Sequence, residues 1–145
     1  MTNVSVEVLR VHELAKLPMF GTTGAAGADL TCIESHRLYP GEMHAFRTGL
    51  HVAVPPGYEM QIRPRSGLAA KYAITVLNAP GTIDSDYRGE VKVLLANTGH
   101  VPHDFIPGDR IAQAVIAPVL KTTYVEVSEL DATMRGDGGF GSTGR

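Results

Sequence analysis

Two carboxylates and a tyrosine lie close together in residues 81–89 (GTIDSDYRG), a short segment bounded by glycines. A carboxylate held at the end of a strand can polarise a water molecule, as a general base does. If the segment forms a hairpin, Asp84 and Asp86 share one face and Ser85 points to the other, because side chains alternate along a strand. The competing interpretation is a polar hairpin turn without chemistry, and the segment taken alone favours it.

A second segment, residues 63–71 (RPRSGLAAK), contains the residue types that bind anions. Arg65, Ser66 and Gly67 come just before a short helical pattern, and the free N–H groups at the start of a helix favour negative charge. A plain helix cap by Ser66 explains the same residues. The segment alone is equally compatible with a phosphate site and with a cap.

Two further polar residues stand in stretches of the sequence that are otherwise apolar or made of small residues. Gln113 lies within an apolar run, and a buried glutamine must find hydrogen-bond partners, either in the backbone, which is the commoner case, or in a ligand. Asp29 follows small residues at the start of a strand pattern. A turn or cap aspartate is the simpler interpretation there.

The final segment, residues 135–145 (RGDGGFGSTGR), is rich in glycine and has one large apolar side chain, Phe140. It cannot bury enough apolar surface to order itself. Its arginines, hydroxyl groups and accessible backbone N–H groups could close over a phosphate-bearing ligand. A plain disordered end is the alternative.

Metal and nucleotide motifs of other classes are missing from the sequence. The six histidines are scattered and the single cysteine, Cys32, has no partner, so no zinc pattern is formed. The histidines, interpreted as surface or structural residues, are His12, His36, His44, His51, His100 and His103. No P-loop or dinucleotide fingerprint precedes a long helix, and no nucleophile elbow is present. A Ser–His–Asp catalytic arrangement is still an alternative, because its residues need not be adjacent in sequence.

Short strands must position these residues. Polar and apolar side chains alternate in four segments, which predicts half-buried strands at residues 4–9, 50–54, 91–96 and 125–128. Residues 111–119 are more uniformly apolar, which predicts a strand covered on both faces. Proline–glycine pairs predict turns at 40–41, 56–57, 80–81 and 107–108, and only residues 67–73 have a helical pattern. This spacing favours an antiparallel sandwich or barrel.

Composition narrows the class of protein. The length of 145 residues fits one domain, and the net charge of −2 argues against a general nucleic-acid or membrane surface. One cysteine cannot form an internal disulfide, and the first residues lack the apolar stretch of a signal peptide. No run approaches membrane-spanning length. We therefore expect a cytoplasmic protein that binds neither nucleic acid nor membrane.

Taken in order, five segments of the chain resemble the five motifs of the trimeric dUTPase family. They are residues 25–30 (AAGADL), 64–69 (PRSGLA), 78–89 (NAPGTIDSDYRG), 108–113 (GDRIAQ) and 135–144 (RGDGGFGSTG). The third and fifth are the most specific, and the resemblance spans nearly the whole chain. It implies an all-β fold, a distorted jelly roll or β-barrel with one short helix. A single domain would cover residues 1–145, with residues 134–145 as a mobile, glycine-rich lid.

The resemblance implies hydrolysis of dUTP to dUMP and pyrophosphate, which lowers dUTP and supplies dUMP for dTMP synthesis. Asp84 would be the general base that orients the water attacking the α-phosphorus. Tyr87 would pack on the deoxyribose and exclude a 2′-hydroxyl. Mg²⁺ would be held mainly by the substrate phosphates, with Asp29 contacting it through water.

The remaining substrate contacts follow from the same resemblance. Uracil would pair with Asn78 and with the main chain of Gly81, Thr82 and Ile83, while Lys92 would line the base pocket. Arg65, Ser66, Gly67 and Gln113 would hold the phosphate chain. The tail would contribute Arg135, Gly141, Ser142 and Thr143 toward the γ-phosphate, and Phe140 would cover the uracil ring. Two positions vary from relatives: Ala28 replaces a larger residue, and Asp137 adds a negative charge to the tail.

In the family, each active site combines three subunits of a homotrimer: the second and fourth motifs from one, the third from another, and the tail from the last.

Two other functions are alternatives to dUTP hydrolysis. A dCTP deaminase of the same trimeric fold would use a glutamate base, and the intact Asp84 and glycine-rich tail argue against it. A non-catalytic nucleotide-binding jelly-roll protein is disfavoured because all proposed catalytic positions are retained.

Overall fold

The computed structural model describes residues 2–145, and this part of the chain forms eleven strands and one helix of seven residues. In chain order the elements are β1 (Glu7–Arg10), β2 (Met19–Phe20), β3 (Ala28–Thr31), β4 (His36–Leu38), β5 (Met43–Ala53), β6 (Tyr58–Arg63), α1 (Ser66–Tyr72), β7 (Ile74–Val76), β8 (Gly81–Ile83), β9 (Glu90–Asn97), β10 (His103–Phe105) and β11 (Arg110–Pro118). No helix among the described residues is both long and apolar enough to cross a membrane.

The strands form two main antiparallel sheets and a small third one. One sheet has the order β1-β5-β9-β7 and the other β2-β3-β11-β6-β8, while β10 pairs with β4. Strand β8 is therefore an edge strand of the five-stranded sheet. The predicted all-β fold of antiparallel sheets with one short helix is confirmed.

Alternation along the strands builds the core between the sheets. On β9, Val91, Val93 and Leu95 are buried while Lys92 between them is exposed, as the period of two predicts. They pack in one cluster with residues such as Phe46 of β5 and Ile111 of β11. Each such side chain contributes about 1.5–3 kcal/mol when it is fully buried, so this shared core fixes the strands that carry the polar residues.

A β-bulge in β11 changes which of its side chains face outward. Arg110 pairs with Thr31, but Gln113 pairs with Asp29, so β11 has one more residue than β3 over this stretch. Ile111 and Ala112 are both buried. The extra residue brings Arg110 and Gln113, three positions apart, onto the outer face with Asp29, where strict alternation would separate them.

Three strand predictions need correction. Residues 125–128 form no strand: Val125 and Val127 are 75% and 57% exposed, because no described strand of the chain lies alongside to accept their backbone hydrogen bonds. Strand β1 begins at Glu7 rather than at residue 4, because its partner β5 ends opposite Glu7, at Ala53. The predicted covering of residues 111–119 on both faces is wrong beyond Ala114, where the side chains are only half-buried or exposed.

Three of the four predicted proline–glycine turns have glycine in the left-handed region that favours it. These are Gly41, Gly57 and Gly108, with φ of 79°, 88° and 94°. Gly81 instead begins β8, after a cis peptide bond between Ala79 and Pro80. The other three turns connect strands that are not paired with each other, namely β4 with β5, β5 with β6, and β10 with β11.

Candidate active site

The start of helix α1 differs from the predicted serine cap. Arg65 occupies the N-cap position with extended backbone (φ −91°, ψ 130°), and its carbonyl accepts the N–H of Ala69 at 3.1 Å. Ser66 is the first helical residue, so the interpretation of Ser66 as the cap is wrong. Among the described residues, no side chain accepts a hydrogen bond from the first N–H groups of the helix as a cap. The first N–H groups of α1 therefore have no partner within the helix.

Polar residues from three separate segments line one cleft beside this helix start, which we call the arginine cleft. Its volume is about 250 Å³, and it is lined by Gly21, Thr22, Ala25, Gly27, Asp29, Arg65, Ser66, Gly67 and Gln113. The structure thus brings together the predicted residues of the first, second and fourth motifs. Sequence reasoning missed Thr22, although the hydroxyl-bearing stretch at 21–24 (GTTG) was an available signal.

Gln113 is fixed at the wall of the arginine cleft. Its Nε2 donates a hydrogen bond to the carbonyl of Pro64 at 2.9 Å, which links β11 to the segment before α1. Gly27 makes room for it, since a Cβ at position 27 would overlap the Gln113 side chain. Gln113 therefore bonds one backbone carbonyl and still borders the cleft. The two interpretations of Gln113, as a partner of the backbone and as a residue that faces a ligand, are compatible.

Charge in the arginine cleft is balanced within the protein. Arg65 Nε donates to Asp29 Oδ1 at 3.1 Å, and Arg110 Nη1 lies 3.7 Å from Asp29 Oδ2. Arg65 and Asp29 are about three-quarters buried, with 25% and 23% of their side chains exposed. Among the described residues that line this cleft, Arg65 is the only basic side chain and Asp29 the only acidic one.

A second cleft contains residues of the third motif, and we call it the tyrosine cleft. It has a volume of about 420 Å³ and is lined by Thr82, Ile83, Tyr87, Glu90 and Lys92. The Tyr87 hydroxyl donates to the carbonyl of Glu90 at 3.0 Å, so the ring is held back against Gly89, where a Cβ would overlap it. Asn78 is not among the described residues that line this cleft, but it lies beside the first residue of β8, since a Cβ at Gly81 would be 3.3 Å from the Asn78 Nδ2 atom.

An ion pair that the sequence did not predict supports the tyrosine cleft. Arg47 Nε lies 3.1 and 3.0 Å from the two carboxylate oxygens of Glu90. The Arg47 guanidinium holds the pKa of Glu90 below its ordinary value, although partial burial opposes the shift. The same pairing raises the pKa of Arg47. Arg47 on β5 is paired with Lys92 on β9, so Glu90, two residues before Lys92 on the same face, is its diagonal neighbour, and the sequence gives no direct signal of this register.

Asp84 lies in a third cleft, which we call the aspartate cleft. Its volume is about 590 Å³ and it is lined by Gly57, Tyr58, Glu59, Asp84, Ser85, Asp86, Val119 and Lys121. Asp84 follows β8 directly, as the strand-end prediction requires, and its carbonyl accepts the N–H of Tyr87 at 3.1 Å. Residues 84–87 therefore form a turn rather than continuing a strand. Ser85 borders the same cleft as Asp84 and Asp86, so the predicted alternation of faces is wrong.

The tail stands apart from all three clefts. Phe140 is fully exposed. The segment is shaped by local contacts such as the hydrogen bond that Arg135 Nε donates to the carbonyl of Gly138 at 2.9 Å. Gly141, Ser142 and Thr143 line none of the three clefts. Within one described chain, the predicted site residues thus form separate groups that share no lining residue.

No group of three histidine, cysteine, aspartate or glutamate side chains in residues 2–145 is arranged to hold a metal ion by itself. The arginine cleft offers one carboxylate, one guanidinium, two hydroxyl groups and an amide to a ligand. Such a set suits a phosphate chain, because guanidinium and N–H donors bind phosphate oxygens and a carboxylate can bind a hydrated cation on them.

Comparisons with known proteins show which chains this one resembles. The chain matches the family model described as dUTPase over residues 13–144. It is 50% identical over 145 residues to the deoxyuridine 5'-triphosphate nucleotidohydrolase of Wolinella succinogenes, covering 100% of this chain and 97% of that protein. It is 52% identical to the protein of the same name from an Anaeromyxobacter species, covering 98% of this chain and 99% of that protein.

A solved structure extends the similarity to the fold. A variant of the dUTPase from Staphylococcus bacteriophage 80alpha, in complex with dUpNHpp, superposes with a TM-score of 0.87 at 25% identity, covering 97% of this chain and 99% of that one. The fold is thus shared with a dUTPase of jelly-roll type. Because the family model covers most of the chain and the relatives match it at full length, this chain belongs to the dUTPase family.

Proposed function

We propose that this protein hydrolyses dUTP to dUMP and pyrophosphate, lowering dUTP and supplying dUMP. The arginine cleft carries the proposal most directly, because three motif segments distant in sequence line one polar pocket there. Phosphoryl transfer needs positioning and neutralisation of charge more than covalent chemistry from the protein. A cleft with guanidinium, hydroxyl and amide donors supplies that positioning.

The phosphate chain is held by the arginine cleft. Arg65 offers a planar set of N–H donors, which bind phosphate oxygens in pairs. Ser66 and Gly67 contribute the open backbone at the start of α1, and Gln113 is oriented for binding by its bond to Pro64. Gln113 and the N–H groups at the start of α1 are in place before substrate binds, so these donors need little rearrangement.

Mg²⁺ fits the donor set of the arginine cleft. Asp29 presents an oxygen ligand of the kind that Mg²⁺ prefers, and this ion usually keeps several waters and binds through one or two carboxylates together with substrate phosphates. When bound, the ion would neutralise charge on the phosphates. Asp29 would hold one of its waters, while Arg65 donates to the phosphate oxygens.

The tyrosine cleft selects the sugar and the base. The Tyr87 ring, anchored through its hydroxyl to Glu90, forms a wall against which a deoxyribose packs and a 2′-hydroxyl does not fit. Strand β8 lies at the edge of its sheet, so one side of the Gly81–Ile83 backbone is free to pair with the polar edge of uracil. Asn78 adds a side-chain amide, and Lys92 lines the pocket.

Asp84 activates the water. Its position directly after β8, with a turn closed by its own carbonyl, holds the carboxylate at the end of a rigid strand. The carboxylate takes a proton from a water molecule as the water oxygen bonds to the α-phosphorus. The bond from that phosphorus to the bridging oxygen breaks, and pyrophosphate leaves with the electron pair.

A homotrimer completes the site. The three clefts are separate within one chain, so another subunit must bring Asp84 and Tyr87 to the arginine cleft. Large apolar side chains between β11 and the tail are left in water in one chain, with Leu120 and Leu130 each 85% exposed and Tyr124 94% exposed. Contact with neighbouring subunits would remove this surface from water.

The tail closes over the bound substrate. Residues 134–145 act as a mobile lid in which Phe140 covers the base, while Arg135, Ser142 and Thr143 contact the γ-phosphate. Glycines give the segment the freedom to order only when substrate is present. Asp137, exposed in this chain, points away from the phosphates in the closed state.

A cytoplasmic location completes the proposal. The one cysteine, Cys32, is buried and free, which suits a reducing compartment. The net charge of −2 favours no nucleic-acid partner.

The function is tested by pyrophosphate release in Mg²⁺ from dUTP, dTTP, dCTP and UTP in parallel. We expect release from dUTP alone, because each other nucleotide changes the base edge or the sugar. Reaction in H₂¹⁸O should place the label in dUMP. Ammonia release from dCTP, or no reaction with dUTP, would contradict the proposal.

A further inference from the structure

Asp29 lies between two guanidinium groups that approach different oxygens of its carboxylate. Arg65 Nε is 3.1 Å from Oδ1, and Arg110 Nη1 is 3.7 Å from Oδ2. The two arginines differ in burial, since Arg110 exposes 61% of its side chain and Arg65 exposes 25%. The carboxylate therefore has one short, largely buried contact and one longer contact at the protein surface.

The β11 bulge is the feature that allows the second contact. Arg110 pairs with Thr31 and Gln113 with Asp29, so both β11 side chains face outward on the side of Asp29. Without the extra residue, Arg110 and Gln113 would point to opposite faces of the sheet. Bulges often re-aim side chains next to functional sites.

The two arginines border different clefts, with Asp29 between them. Arg65 lines the arginine cleft. Arg110 lines a neighbouring cleft of about 360 Å³, which we call the lysine cleft and which also includes Lys16, Thr31 and Gly108. Asp29 lines both clefts, whereas Arg110 is not among the described residues that line the arginine cleft.

Phosphates in the arginine cleft compete with Asp29 for Arg65; this step rests on the proposed function. Asp29 Oδ1 accepts the Nε–H of Arg65 in this structure, and this contact weakens when the guanidinium turns toward phosphate oxygens in the cleft. The carboxylate then lies beside an anionic chain that repels it. Arg110 approaches the other oxygen from outside the cleft, so it stays paired with Asp29 when Arg65 turns away.

We propose that Arg110 is a positioning residue that holds the Asp29 carboxylate toward hydrated Mg²⁺ while Arg65 binds the phosphates. Arg110 itself contacts neither the substrate nor the ion. Arg110 therefore contributes to substrate affinity only when both Asp29 and Mg²⁺ take part in binding.

The test measures binding of the dUTP analogue dUpNHpp by calorimetry, in Mg²⁺ and in EDTA. Arg110→Gln should weaken binding about fivefold in Mg²⁺, the size expected when a partly exposed ion pair is lost, and should leave binding in EDTA unchanged. The Mg²⁺ concentration that half-saturates turnover should rise by a similar factor. Arg110→Lys, which keeps the charge, should recover part of the loss.

Two controls isolate the effect. Arg37→Gln removes an exposed arginine that pairs with Asp104 at 2.8 Å, away from the clefts, and should change nothing in either condition. In an Asp29→Asn background, Arg110→Gln should have no further effect, because the two residues act through one contact.

Four results would overturn the proposal. They are an unchanged Mg²⁺ dependence in Arg110→Gln, an equal loss of binding with and without Mg²⁺, a loss that persists in the Asp29→Asn background, and a changed oligomeric state on sedimentation. Failure of the proposed function looks different, since the unmodified protein would then neither bind dUpNHpp nor release pyrophosphate.

Discussion

Gly27→Ala should disturb the arginine cleft while leaving the backbone conformation allowed. A Cβ at Gly27 would lie 3.0 Å from Cδ and 3.1 Å from Cβ of Gln113, inside ordinary van der Waals contact of 3.4–4 Å. The Gln113 Cβ is fixed by strand β11, so the amide end of the side chain must move. That movement breaks its 2.9 Å bond to the carbonyl of Pro64.

The expected loss of stability follows from the lost Gln113–Pro64 hydrogen bond and from the overlap between the new Cβ and Gln113. Loss of the hydrogen bond costs about 0.5–1.5 kcal/mol, and overpacking adds about 1–3 kcal/mol. We expect the free energy of unfolding to fall by about 2 kcal/mol and Tm to fall by about 4–8 °C. Since Gln113 also leaves its place in the cleft, kcat/KM for dUTP should fall about tenfold, equivalent to about 1.4 kcal/mol.

Thermal melting and steady-state pyrophosphate release measure both effects. Gly24→Ala is the matched control, because a Cβ at Gly24 has nothing within 4 Å and Gly24 lines none of the clefts. It should stay within about 0.5 kcal/mol of the unmodified protein. If Gly27→Ala behaves like Gly24→Ala in both assays, Gln113 is not held as described.

Three other perturbations test separate parts of the site. Asp84→Asn should keep the fold and the affinity for dUpNHpp but remove most turnover, and near-normal turnover would exclude Asp84 as the base. Deletion of residues 135–145 should preserve the oligomer seen on sedimentation while activity falls by about a hundredfold or more, the order of loss when positioning around the substrate fails; full activity would mean that the tail is no lid. Glu90 has a pKa below 4.5 in the folded protein, so its pair with Arg47 stabilises the fold above about pH 4.5 and loses this effect as pH falls through the folded value. Melting from pH 7 to pH 3 should therefore show a smaller fall in Tm for Glu90→Gln than for the unmodified protein, and identical slopes would contradict this assignment.

Local patterns in the sequence were enough to predict much of the fold. Strict alternation on β9 and glycine with positive φ at turns such as Gly57 depend on neighbouring residues only. Helix α1 follows from a short run of helix-forming residues after Pro64. These elements were predicted because their physical causes act over a few positions.

Features that depend on pairing between distant segments were not predictable. The bulge that turns Arg110 toward Asp29 arises from the register between β11 and β3, and the Arg47–Glu90 pair arises from the register that places Arg47 opposite Lys92 on β9. Residues 125–128 have the alternation of a strand, yet a strand needs a partner, and none is described within this chain. The pattern thus carries the tendency to pair but no information on which chain supplies the partner.

The site residues likewise divide into features that the local sequence predicts and features that it does not. The motif positions near Arg65, Asp84 and Tyr87 could be identified from their order along the chain. Their separation into an arginine, a tyrosine and an aspartate cleft could not, because it depends on the tertiary structure. This separation is the reason for proposing that subunits share each active site.

Mixing two inactive variants tests this sharing most directly. Arg65→Gln damages the arginine cleft and Asp84→Asn removes the base, so each protein alone should be almost inactive. After the two are refolded together, random assembly into trimers should restore up to about a quarter of the sites, because each intact site takes its arginine cleft and its Asp84 from different chains. A mixture no more active than its parents, in trimers that contain both variants, would contradict the account.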